Sequence, residues 1–124
     1  MLKICFIVLL FIEKVKNLDF NNSISIVMNG IGNKEILYRF FFYNNKNNIK
    51  EIFINEISQT SIDYEYNLAQ NLSNITIVWN NNLTSCEYMF YKLNDIIKID
   101  FTHFISSSIW SICLLNVVHY LLLI

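Results

Sequence analysis

The segment from Ser85 to Phe104, SCEYMFYKLNDIIKIDFTHF, changes its apolar period halfway along, and that change limits what the chain can build. Cys86, Met89, Phe90 and Leu93 fall at i, i+3, i+4 and i+7, the stripe of a short helix. Ile96, Ile99, Phe101 and Phe104 then follow an apolar-x-x-apolar-x-apolar-x-x-apolar spacing, in which a short strand turns alternate side chains inward and a bend follows. Asn94 and Asp95 suit the turn between the pieces, because both tolerate left-handed or locally hydrogen-bonded backbone. A plain amphipathic helix followed by a buried strand fits the same periodicity. A helix-strand unit of this size cannot bury its apolar face alone, so the pattern points to one rung of a stacked array.

The residue identities go further. S-C-x-x-M-F-x-x-L-x-x-I-x-x-I-D-F-x-x-F resembles the repeat of the BspA-like leucine-rich-repeat family, surface proteins of protists, mycoplasmas and other bacteria. In that family the unit recurs about every two dozen residues. SISIVMNGIGNKEIL, EIFINE, IDYEYNL and NITIVWNNNLTSCEYMF resemble the family's non-repeat leader, so the likeness runs over residues 22–108. It implies a repeat core of Cys86, Met89, Phe90, Leu93, Ile96, Ile99, Phe101 and Phe104, with Asp100 structural. Where a second M-F pair is expected, Ile105 and three serines lead into IWSICLLNVVHYLLLI. The tail reads as a truncated or frame-shifted repeat, an anchor signal, or a spanning helix.

Composition sets the outer limits. The chain has 124 residues, 54% of them hydrophobic, with a net charge of -1. Its mean hydropathy is +0.37. Apolar ends flank a middle rich in Asn, Ile, Tyr and Phe, which leaves about 85 residues for a marginal core. There is no proline and only Gly30 and Gly32, so asparagine must make most turns. Lys46 and Lys50 are the only local basic pair beyond the N-terminus, too few to track phosphates, which argues against a nucleic-acid partner. Phe40, Phe41, Phe42 and Tyr43 accordingly read as core or edge strand and not as a base-stacking platform.

The N-terminus, residues 1–17, has Lys3 followed by an apolar run from Ile4 to Ile12, the pattern of a secretory signal peptide. Sequons at Asn21, Asn71, Asn74 and Asn82 agree with a glycosylated, secreted or cell-surface protein. Residues 18–84 form a β-rich leader, 85–108 the repeat unit and 109–124 the hydrophobic tail, through which membrane attachment is possible. Of three cysteines, Cys5 lies in the signal and Cys113 in the tail. Cys86 therefore has no evident disulfide partner and reads as a buried structural thiol.

Between the ends, period-2 signals dominate, which predicts a mainly β (α+β) fold. Ile24, Ile26 and Met28 mark a strand ending at a Gly30-Ile31-Gly32 hairpin turn. Glu35 to Tyr43 is a strand or short helix, and Asn44 to Asn48 a polar loop. Ile52 and Ile54 share one strand face with Phe53 opposite, and Ile75, Ile77 and Trp79 mark a further strand.

No catalytic constellation accompanies these elements. His103 and His119 stand apart from any H-x-x-x-H, C-x-x-C or carboxylate cluster, so neither a metal nor another cofactor is expected. Asp63 and Glu65 share a strand face but lack a neighbour to raise either pKa. Gly-x-Gly lacks the rest of a phosphate loop, and Ser106 lacks a nucleophile elbow. The chain reads as a non-catalytic surface-interaction protein whose partner, a protein or surface ligand, is unknown. The alternative is a small lipid-anchored or membrane-inserted glycosylated coat protein. A lone rung should leave Ile96, Ile99 and Phe101 uncovered and the isolated chain poorly stable.

Overall fold

The computed structural model describes residues 22–80, 83, 85–104 and, as backbone, 122–123. The expected signal segment, Asn21, Asn82, Cys5, Cys113, His119 and the tail other than Leu122 and Leu123 lie outside the described residues. The fold is mainly β. Six strands form one sheet in the order β4-β3-β6-β1-β7-β8, and β2 and β5 form a separate ribbon. The strands are β1 Ser23–Asn29, β2 Gly32–Glu35, β3 Ile49–Ile54, β4 Ile57–Ser58, β5 Glu65–Leu68, β6 Leu72–Trp79, β7 Ile96–Asp100 and β8 Leu122–Leu123. Among the described residues one helix, α1, covers Arg39–Asn45 and runs into a 3-10 turn at Lys46–Asn48.

Alternation creates the inner face of the sheet. Ile24, Ile26 and Met28 of β1 stand opposite Ile77, Ile75 and Ser73 of β6, which puts these six side chains on one face. Ile52 and Ile54 of β3 continue the rows beside Ile77 and Ile75. On the other side, Ile99 and Ile96 of β7 lie beside Ile26 and Met28. The opposite face is more polar, with the Ser25 and Thr76 hydroxyls 3.1 Å apart.

Two bulges reconcile odd spacings with this face. Ile96 and Ile99 are three residues apart, so a regular strand would send one of them outward. The register of β7 shifts between Val27 and Met28, leaving Ile97 without an opposite residue. Ile97 is accordingly exposed while both neighbours of the inner row are buried. The same device lies in β3, where a shift between Ile49 and Glu51 lets both Ile49 and Ile52 face inward.

Ile36, Leu37, Phe41, Phe42, Leu68, Cys86, Met89, Phe90 and Leu93 pack onto that face in the same cluster as the sheet isoleucines. β7 therefore shares one core with β1, β3 and β6. Ile96, Ile99 and Phe101 are 1%, 0% and 8% exposed, which corrects the expectation of an uncovered rung. The hairpin at Gly30-Ile31-Gly32 is also corrected. β1 pairs with β6 and β7, whereas β2 leaves the sheet to pair with β5. Both glycines have positive φ, +106° and +105°, and the Gly30 amide donates to the Asn71 carbonyl at 2.7 Å. A Cβ at Gly30 would meet Lys34 Nζ at 3.0 Å, so glycine leaves the path by which that ammonium reaches Asp95 Oδ2, also at 3.0 Å.

Ser73 occupies an inner-row position with its hydroxyl buried and without a hydrogen-bond partner among the described residues. Such a group costs desolvation with no return. Ser73→Ala should therefore leave stability unchanged or raise it. Ile77→Ala in the neighbouring row should cost about 2–5 kcal/mol. Urea unfolding of both variants checks the contrast, and a large loss in Ser73→Ala would show that its hydroxyl is satisfied.

Candidate binding surface

The segment from Cys86 to Leu93 is a run of tight turns and not the expected helix. The amides of Met89, Tyr91, Leu93 and Ile96 donate to the carbonyls three residues earlier. Tyr88 and Lys92 have φ of 63° and 59°, left-handed values that an α-helix does not contain. The apolar stripe is nonetheless inward. Cys86, Met89, Phe90 and Leu93 are buried, as are Phe101 and Phe104 after β7. Asp100 Oδ1 accepts from the Thr102 amide at 2.8 Å and so shapes the bend between those two phenylalanines.

Cys86 is also corrected. It is fully buried and disulfide-bonded, not a free thiol. The other cysteines of the chain are Cys5 and Cys113.

The sequence Phe40, Phe41, Phe42, Tyr43 proves to be helical, and a helix divides the four. Phe41 and Phe42 enter the core, while Phe40 and Tyr43 are 63% and 54% exposed. Asn44 and Asn45, expected in a loop, complete α1, and the side-chain Nδ2 of Asn45 donates to the Phe41 carbonyl at 2.9 Å. The helix has no side-chain cap at Tyr38 and no acidic residue in its first turn, so packing holds it. The Tyr38 amide donates to the Met89 carbonyl at 2.8 Å and fastens the start of α1 to the turn segment.

This junction brings rings together from distant positions. Tyr38 lies edge-on to Phe40 at 5.6 Å and to Tyr91 at 4.9 Å, and Tyr91 meets Tyr88 at 5.5 Å. Between the two segments is a cleft of about 340 Å³ lined by Tyr38, Phe40, Asn44, Ser85, Glu87 and Tyr88 among others. Two ammonium groups already stand over neighbouring rings, Lys46 Nζ at 5.6 Å from the Tyr43 centroid and Lys92 Nζ at 5.2 Å from that of Tyr91. The sequence pattern carries no sign of this surface, because its rings come from two segments that only the fold makes neighbours.

The carboxylates weighed for acid-base chemistry do not form a pair. Asp63 precedes β5, its Oδ1 accepting from the Tyr64 amide at 2.7 Å, whereas Glu65 opens the strand. This corrects the shared strand face. His103 is exposed, and its carbonyl accepts from the Ser23 amide at 3.1 Å. Among the described residues no group of three or more metal-ligating side chains occurs. Asn71 and Asn74 are exposed. No protein-family model, no curated protein and no solved structure matches the chain.

Tyr66 locks the loop before β5. Its hydroxyl donates to the Ser61 carbonyl at 2.6 Å and accepts from the Asp63 amide at 2.8 Å. Burial raises its pKa above the ordinary 10.0, with the hydrogen bond to the Asp63 backbone opposing and the Asp63 charge adding. Tyr64 is shifted the same way, first by burial and then by the Tyr43 phenol. The protonated form of Tyr66 is thus favoured by folding. Its contribution is complete below pH 10.0 and lost as pH rises through the higher folded value. Tyr66→Phe should cost about 0.5–1.5 kcal/mol near pH 7. The gap between the variant and the natural protein should narrow above pH 10.0, as thermal unfolding across that range would reveal.

Proposed function

We propose that the chain is a non-catalytic, secreted or cell-surface protein of the BspA-like leucine-rich-repeat type. In this reading strands β1 to β6 act as a cap, and the turns of residues 86–93 with β7 make the first rung, an α-helix being replaced by tight turns. The observation that carries it is the β7–β8 pair. The two strands are parallel, with Lys98 beside Leu122 and Ile99 beside Leu123, a step of 24 residues. Every other pair in that sheet is antiparallel. A parallel neighbour one repeat length along the chain is the signature of stacked units.

Counting the same step from Phe90, Leu93 and Ile99 reaches Leu114, Val117 and Leu123, so the sequence keeps apolar residues at those positions. The disulfide at Cys86 supports an oxidising compartment and hence secretion or surface display. Exposed Asn71 and Asn74 are compatible with glycosylation there. The coat-protein alternative draws less support, because Leu122 and Leu123 are engaged in the sheet. No helix of the described residues is long and apolar enough to cross a membrane.

In a stacked array each added unit contributes stability through its interface with the last. A chain extended by two further units patterned on Ser85 to Ser108 should unfold at higher urea concentration with a larger m value. An unchanged midpoint and m value, with the added units unfolded, would overturn the rung reading. Expressed through a eukaryotic secretory pathway, the chain should lose mass on treatment with a peptide N-glycosidase, and Asn71→Gln together with Asn74→Gln should reduce that loss. Retention inside the cell without glycans would count against surface localisation.

A further inference from the structure

We propose that the cleft between α1 and the Ser85 to Tyr88 turn binds an alkylated ammonium group. The argument is one of shape and charge, and it stands independently of the repeat reading. Phe40 of α1 and Tyr88 of the turn segment are large rings left 63% and 42% exposed, and both line the cleft together with Tyr38. Glu87 is the one charged side chain among the described residues of the lining. The described lining therefore offers aromatic rings and a carboxylate, with no cation among its described residues.

That combination selects against anions and for a weakly hydrated cation. A ring face attracts positive charge through its quadrupole, most strongly when the cation has little hydration to lose, as an alkylated ammonium does. Glu87, exposed in the lining, adds a Coulombic attraction. The adjoining surface displays the same affinity within the chain, since Lys46 and Lys92 each hold an ammonium over a tyrosine ring. Neither Phe40 nor Tyr88 has such a partner among the described residues. Asn44 and Ser85 supply amide and hydroxyl groups that can hydrogen-bond a polar substituent on the ligand. A volume of about 340 Å³ suits one such headgroup and not a folded segment of protein.

The test uses the full chain, choline as probe and 3,3-dimethylbutan-1-ol as its neutral isostere, followed by aromatic proton shifts. Saturable binding of choline, with the isostere weaker by about tenfold or more, is the expected result. Tyr88→Ala and Phe40→Ala should each weaken choline binding about tenfold, and Glu87→Gln by roughly three- to tenfold. Tyr43→Ala, outside the lining, should not change it. Vesicles of phosphatidylcholine separate the sources of the group. Sedimentation with vesicles that Tyr88→Ala abolishes assigns a lipid headgroup, and choline binding without sedimentation assigns a soluble ligand. Equal affinity for choline and the isostere would overturn the proposal in favour of a simple apolar groove. So would choline shifts that stay linear to roughly 100 mM, or that persist unchanged in Tyr88→Ala and Phe40→Ala.

Discussion

The described structure depends on β1 having a partner strand on each side, β6 along its whole length and β7 along Ser25 to Met28. β6 and β7 come from far along the chain, yet both align their inner isoleucines with those of β1. The resulting row of Ile54, Ile75, Ile26 and Ile99 crosses four strands. Burying each such side chain is worth roughly 1.5–3 kcal/mol, so this row and its neighbours supply the main favourable term for so short a domain. Everything on the inner face, from Phe41 and Phe42 of α1 to Met89 and Phe90 of the turn segment, is positioned by packing on those rows. Polar ties such as Lys34 to Asp95 are partly exposed and add little beside this burial.

The strands were the most legible part of the sequence, because alternation is a direct record of which face is buried. Ile24, Ile26 and Met28, and likewise Ile75, Ile77 and Trp79, announce β1 and β6 without further information. The bulges were less legible. An apolar pair three residues apart, Ile49 with Ile52 or Ile96 with Ile99, fits a helix turn as readily as a strand with one residue extruded. Only the register against β6 or β1 decides between them. The Gly30-Ile31-Gly32 turn misled for a related reason. Glycine marks where the chain reverses or departs but not which strand it pairs with next, and here β1 finds both neighbours elsewhere.

The turn segment shows how a correct apolar stripe can belong to the wrong backbone. Cys86, Met89, Phe90 and Leu93 are all inward, yet Tyr88 and Lys92 turn left-handed between them. A succession of three-residue turns repeats closely enough to a helix that the side-chain spacing cannot separate the two. The aromatic cleft lay beyond reach for a different reason. Phe40 and Tyr88 face solvent, so no periodicity marks them, and their proximity follows from the hydrogen bond between the Tyr38 amide and the Met89 carbonyl. Cys86 likewise gave no local hint of its disulfide, since a buried half-cystine and a buried thiol occupy the same kind of position.

The change from antiparallel to parallel pairing at β8 gives the sheet two unlike ends. At one end β4 is a two-residue arm folded back antiparallel on β3 through the Asn55 and Glu56 turn. At the other, the chain itself has already laid down a strand running the same way as its predecessor. Both outer strands are two residues long, so the two ends differ in the polarity of their edge and not in the length of template they offer.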